Sequence, residues 1–162
     1  MIRTCLPFPH PVLKAVAAPV PAITDEIRAI WREDDNALQL IILPDITVPA
    51  DKRASVYTAL GLINEQLWLG HFDMWSANGI LLFRHGSLMA PNGLLGVDQA
   101  QTIIDVAIDE CERFYPVFQF IIWGDKSPEE AIAMVKKAVS LIKSDGKEKA
   151  FAAIADPANS TF

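Results

Sequence analysis

The spacing of apolar and polar positions changes several times along the chain, and each change marks an element. IRAIWRE (from Ile27) and ALQLIIL (from Ala37) are runs of apolar and β-branched residues separated by Asp34, Asp35 and Asn36. Two such runs around a polar turn cluster predict a β-hairpin, closed off by Pro44 and Pro49. From Ala50 to Trp68 the period becomes helical, with Val56, Leu60, Ile63 and Leu67 on one stripe. Asp51 stands near the start of that helix, where the backbone dipole favours a carboxylate. Gly70 to Ser76 and Ile80 to Met89 read again as strands, and they flank Asn78-Gly79, a dipeptide typical of a tight hairpin turn.

Two further helices follow. Gln99 to about Tyr115 is amphipathic, with Ile104, Ala107, Ile108, Cys111, Phe114 and Tyr115 inward, and Pro116 predicts a kink or a restart. Ser127-Pro128-Glu129-Glu130 combines a serine cap, a proline at the first helical position and a glutamate placed to return the capping bond. Ile132, Val135, Val139 and Ile142 form the apolar face of that helix. Asp145-Gly146 interrupts it, a shorter helical piece is predicted from Lys147 to Ala155, and Asp156-Pro157 ends it. The order of strand pair, helix, strand pair, helix, helix predicts an α+β domain: an antiparallel sheet from two hairpins packed by helices.

Residues 1–24 stand apart. They hold five prolines, Pro7, Pro9, Pro11, Pro19 and Pro21, each without a backbone donor, and read as an extended or disordered arm. Arg3, the apolar residues after it and Ala15-Val16-Ala17 imitate a signal peptide, but the prolines with His10 and Lys14 break the apolar helix that export requires.

At 162 residues the chain suits one domain with its own core. A net charge of −6 argues against nucleic acid and anionic membrane surfaces as partners. No apolar run reaches the length of a membrane span. Cys5 and Cys111 are too far apart in sequence to suggest a ligand pair, which fits a reducing, cytoplasmic setting.

Candidate chemistry concentrates in NEQLWLGHFDMW, from Asn64 to Trp75, and in the strand after it. A two-residue turn at Asn78-Gly79 would set Asp73 opposite Arg84, His71 opposite Gly86 and Phe72 opposite His85. His71, Asp73 and Trp75 would then share one face with Arg84, and His85 would lie on the other with Phe72, Met74 and Phe83. In that register Asp73 and Arg84 form a structural ion pair and the two histidines cannot share a metal. A one-residue slip would bring His71, Asp73 and His85 together, so register decides between a structural pair and a hydrolytic or metal site. The glycines form no phosphate-cradling fingerprint, G-x-S-x-G and C-x-x-C do not occur, and Cys111 sits on an apolar stripe. No catalytic residue, cofactor or metal ligand is expected. Aromatic residues are the more unusual feature. Phe83 and Phe114 read as core, whereas Trp68, His71, Trp75, Phe118 and Trp123 form a candidate interaction surface.

WREDDNAL (from Trp31), ITVPADKRASVYTALGLINEQLWLGHFDMW (from Ile46), LFRHGSL (from Leu82) and ECERFYPVFQFIIWGDKSPEEAIA (from Glu110) resemble the YbjN-domain proteins, a family described as bacterial sensory transduction regulators. The resemblance implies a fold similar to type III secretion chaperones, in which dimers are common, and it implies no catalytic residues. Family members begin with a helix and a strand ahead of the first hairpin, where this chain has its proline-rich arm. From Ala133 to Phe162 the chain resembles the first helix of single Cache sensor domains, without the sheet such a domain needs. The organisation expected is an arm over 1–24, a YbjN-like domain over 25–132 and a helical extension over 133–162. The expected function is a cytoplasmic, non-enzymatic, protein-binding adaptor, chaperone-like or signalling regulator, forming a homodimer. The alternatives are a hydrolase or metal enzyme using His71 and Asp73, or a small-ligand sensor module.

Overall fold

The computed structural model describes residues 2–4, 24–90, 93 and 95–145. Five strands form one sheet in the order β1-β2-β3-β5-β4: β1 (Ile2–Thr4), β2 (Thr24–Arg32), β3 (Ala37–Pro44), β4 (His71–Met74) and β5 (Leu81–Leu88). After β3 a short 3₁₀ turn (Ala50–Lys52) leads into α1 (Arg53–Asn64), and α2 (Val97–Ile122) and α3 (Pro128–Asp145) follow β5. The predicted α+β architecture is therefore present, with the two hairpins meeting where β3 pairs antiparallel with β5. A strand also lies within the region expected as an extended or disordered arm, because Ile2–Thr4 pairs parallel with β2. Thr24, the last residue of that expected arm, begins β2, and residues 1 and 5–23 and the predicted helical piece Lys147 to Ala155 lie outside the described residues. Residue 133, where a helical extension was expected to begin, falls inside α3.

The first hairpin turns through Glu33 to Asn36, where Asn36 adopts φ 47° and Arg32 holds Asp35 at 2.7 Å. Asparagine tolerates that left-handed conformation better than most residues, which explains its place at the turn. The reciprocal cap forms as its sequence predicts: the Glu130 N–H donates to Ser127 Oγ at 3.2 Å, and the Ser127 N–H donates to Glu130 Oε2 at 3.0 Å.

α1 and α2 pack on one face of the sheet, and α3 packs against those two helices. Val56, Leu60 and Ile63 of α1, Phe114 and Phe118 of α2, and Ile132 and Val135 of α3 join Ile42, Phe72 and Phe83 of the sheet in a single cluster. Phe72 is its centre, with ring centroids 5.2 Å from Phe83, 6.0 Å from Phe114 and 5.5 Å from Phe118. The Phe83 and Phe114 rings meet it at 76° and 80°, the edge-to-face arrangement that ring quadrupoles favour, and the Phe118 ring is tilted at 58°.

Two helix boundaries differ from the sequence reading. α1 ends at Asn64 rather than Trp68, because the Asn64 side chain turns to the sheet and Gly70, at φ 67°, redirects the chain into β4. α2 runs through Pro116 without interruption. Losing a helical hydrogen bond there costs about 3 kcal/mol. Continuing the helix buries Val117, Phe118, Ile121 and Ile122, at about 1.5 to 3 kcal/mol each, which outweighs that cost.

Candidate functional site

The residues with chemical potential lie on β4 and β5, so the join between those strands decides their arrangement. The join is longer than a two-residue turn. Trp75 N–H donates to the Ile80 carbonyl at 2.9 Å, and Gly79 N–H donates to the Trp75 carbonyl at 2.7 Å, leaving Ser76 to Gly79 as a four-residue loop. Arg53 of α1 donates to the Ser76 carbonyl at 2.8 Å, and Val48 N–H donates to the Gly79 carbonyl at 2.8 Å. These bonds from outside the hairpin hold the wider loop in place.

The register is consequently displaced by two residues from the one expected: His71 lies opposite Arg84, Phe72 opposite Phe83 and Asp73 opposite Leu82. A two-residue displacement preserves the faces, because side chains alternate with period two. His71, Asp73 and Arg84 therefore do share the face away from the helices. Arg84 Nη2 pairs with Asp73 Oδ2, now a diagonal neighbour, and Arg84 Nε donates to His71 Nε2 at 2.9 Å. That bond requires His71 Nε2 to be an acceptor, which places the imidazole proton on Nδ1. Asp73 is engaged by Arg84 and, through Oδ1, accepts from the Met74 N–H at 2.8 Å. A carboxylate committed to arginine does not orient the histidine as a base, so the cluster has the chemistry of a surface ion pair with a bound imidazole.

His85 is on the opposite, helix-covered face, as the alternation predicts. Its Nε2 is 2.9 Å from Ser87 Oγ, at the edge of a narrow apolar cleft lined by Leu38, Leu40, Leu95 and Ile104. Partial burial lowers its pKa below the ordinary histidine value, and the neighbouring His71 lowers it further. Among the described residues, no group of three His, Cys, Asp or Glu side chains is arranged to hold a metal ion. Cys111 is buried, and desolvation drives its thiol far above the usual range, with Glu110 and Glu112 adding to the effect. Such a thiol is inert as a nucleophile.

The five residues expected as one interaction surface do not come together. Phe118 is fully buried and belongs to the core. Its position on α2 beyond Pro116 hid this, because the stripe it continues appears only if the helix is unbroken. His71 and Trp75 lie on the sheet face away from the helices, where Trp75 is half-buried against Ile41, Leu43 and Leu82. Trp68 and Trp123 are the two tryptophans left in solvent, 75% and 63% exposed. Trp68 follows the C-terminal end of α1. Trp123 ends α2, in the loop where Asp125 pairs with Lys52 beside the N-terminal end of α1. Sequence reasoning missed Leu88, 84% exposed at the end of β5, although its alternation with Leu82 and Arg84 assigns it to the same sheet face. Between α1 and α3 there is also an open groove, lined by Leu62 and Ile132 with Glu65, Gln66, Glu129 and Lys136 around them.

The edges of the sheet bear on what can bind. β4 is an outer strand, and at Phe72 its outward-facing backbone groups are taken by the Asn64 side chain, which accepts from the N–H at 2.8 Å and donates to the carbonyl at 3.0 Å. Adding a foreign strand there would require breaking both bonds. Among the described residues, no helix is long and apolar enough to cross a membrane.

Comparison with known proteins gives one finding. The model of the YbjN family, described as "Putative bacterial sensory transduction regulator", matches residues 17–120, more than half of the chain. No curated protein and no solved structure matches it.

Proposed function

Because the chain belongs to the YbjN family, a family of regulators rather than a known enzyme family, we propose that it is a non-enzymatic regulator that acts by binding a protein segment and works as a homodimer. The observation that carries this reading is the exposure of Trp68 and Trp123. Indole rings bury large apolar areas and are enriched in the energetic centres of interfaces, so two of them in solvent favour use as contacts. The groove between α1 and α3, apolar at its base and charged around Leu62 and Ile132, suits an amphipathic helical segment. Setting of the protein in the cytoplasm and kinship of action with secretion chaperones belong to the same proposal.

The test is the mass in solution by size exclusion with light scattering, for the natural chain and for Trp68→Ala, Trp123→Ala and the double variant. A dimer that the double variant dissociates supports the reading. A dimer indifferent to both substitutions moves the interface elsewhere, and a monomer at every concentration removes the homodimer from the proposal. Turnover of an ester or phosphoester lost in His71→Ala would overturn the non-enzymatic assignment.

A further inference from the structure

α1 presents two faces of opposite character. Val56, Ala59, Leu60 and Ile63 are buried in the core. On the other side Ala54, Thr58, Gly61 and Glu65 are exposed, Tyr57 is 47% exposed, and Trp68, just beyond the helix end, is 75% exposed. The N–H groups of Glu65, Gln66 and Leu67 donate to the carbonyls of Gly61, Ile63 and Asn64, so the chain keeps its helical path almost to Trp68. At about 100° per residue, Ala54, Gly61 and Trp68 fall near one line, about two turns apart. Tyr57 and Glu65 flank that line, each about 40° from Gly61 and on opposite sides.

Gly61 is the odd residue of this face. Glycine inside a helix weakens it, because the chain gives up more freedom there than at alanine. A Cβ at Gly61 meets no atom within 4 Å, and its backbone is not left-handed, so nothing among the described residues asks for glycine. What glycine offers instead is a point where the backbone of a second helix can come close. The face is also poor in polar groups that need water, since Thr58 Oγ1 donates to the Ala54 carbonyl at 3.2 Å.

The pattern fits a copy of itself. In an antiparallel pair of α1 helices crossing at Gly61, about a twofold axis, Ala54 lies opposite Trp68 of the second copy, Tyr57 opposite Glu65, and glycine opposite glycine. The largest ring of the face meets a methyl group, and the Tyr57 hydroxyl is placed to donate to the Glu65 carboxylate. Each side-chain pairing occurs twice, as an isologous interface requires. A parallel pair would set Trp68 against Trp68 and Glu65 against Glu65. The antiparallel pair holds the two glutamates about 12 Å apart along the axis, beyond the Debye length of about 8 Å. Area is in keeping: the exposed rings of both copies bring up to about 600 Å² of the roughly 1,000 Å² that a specific interface needs, and the remainder of the two helix faces adds to it.

We propose that α1 is the dimer-forming element, packed antiparallel against α1 of a second copy with Gly61 at the twofold axis and Trp68 of each copy over Ala54 of the other. The inference rests on the homodimer reading and names the surface that forms it. Leu62 stands about 100° around α1 from Gly61, so the groove between α1 and α3 opens to one side of the contact. Trp123 lies outside it.

Disulfide trapping of the full chain tests the arrangement. Gly61→Cys, in a Cys5→Ala background with the buried Cys111 kept, should oxidise to a covalent dimer, because the two sulfurs meet at the axis. Tyr57→Cys should not link to itself, being about 12 Å along the axis from its copy, but should link to Glu65→Cys in a mixed sample. Gly61→Leu fills the point of closest approach and should weaken the dimer about tenfold or more in sedimentation equilibrium, with helix content unchanged by circular dichroism, and Trp68→Ala should weaken it as much. Trp123→Ala should leave association within about twofold. A dimer that Gly61→Leu leaves intact and Gly61→Cys fails to link overturns this interface while the homodimer reading stands. Self-linking of Tyr57→Cys overturns the position of the axis, and a chain monomeric at every concentration overturns both readings.

Discussion

The side chain of Asn64, the last residue of α1, pairs with the backbone of Phe72 in β4 as a neighbouring strand would, through bonds of 2.8 and 3.0 Å. One amide thus joins a helix end to an outer strand, satisfies two backbone groups and seats the aromatic ring at the centre of the core. Asn64→Ala should cost about 1 to 3 kcal/mol, since it leaves partly buried backbone groups without partners. Urea unfolding measures the loss, and faster amide exchange at Phe72 than elsewhere in β4 would locate it. An unchanged midpoint would show that water replaces the amide fully.

Gly70 precedes β4 at φ 67°, and a Cβ there would lie 2.4 Å from the Phe83 ring and 2.8 Å from the Arg84 carbonyl. Backbone strain and collision act together, so Gly70→Ala should destabilise by about 2 kcal/mol or more. The outward face at Gly86 offers a contrast, with nothing within 4 Å of its Cβ and an ordinary backbone. Gly86→Ala should change the unfolding midpoint little, and equal losses at the two glycines would refute the steric account.

Phe118 and Trp123 separate core from surface on one helix. Phe118→Ala should cost about 3 to 5 kcal/mol, the usual loss for a fully buried phenylalanine. Trp123→Ala should fall within about 0.5 kcal/mol of the natural chain if the ring serves binding rather than folding. Thermal or urea melts of the two variants decide the matter, and a large loss at Trp123 would mean that its ring supports the fold.

His85 makes the fold sensitive to acid. Burial holds its pKa below 6.5, the value it takes in the unfolded chain. As pH falls through 6.5 the unfolded state takes up the proton and the folded state resists it. The stability contributed by the neutral imidazole is therefore complete above that value and is lost as pH falls toward the folded pKa. Between about pH 8 and about pH 5, His85→Gln should lose less stability than the natural chain. Equal losses would assign the acid sensitivity to other groups.

Much of this was legible because it is local. A Ser-Pro-Glu-Glu start announces a capping box wherever it occurs, and both bonds form. Period-two alternation assigns His71, Asp73 and Arg84 to one sheet face and His85 to the other under any even displacement of register. The sequence alone thus determined the two hairpins and the three helices between and after them, whereas β1, the ends of α1 and α2 and the even register that separates the two histidines were not legible in it.

What it left open depends on groups far apart in the chain. The loop from Ser76 to Gly79 is held by Arg53 and Val48, so the offset that puts His71, not Asp73, opposite Arg84 is a tertiary decision. Pro116 is a local signal to stop, overruled because the turns beyond it bury Val117, Phe118 and Ile121. The same burial turned Phe118 from a candidate surface residue into core and left Trp68 and Trp123 outside. Local rules act over a few residues along the chain, whereas register and burial are settled by which distant surfaces exclude water together.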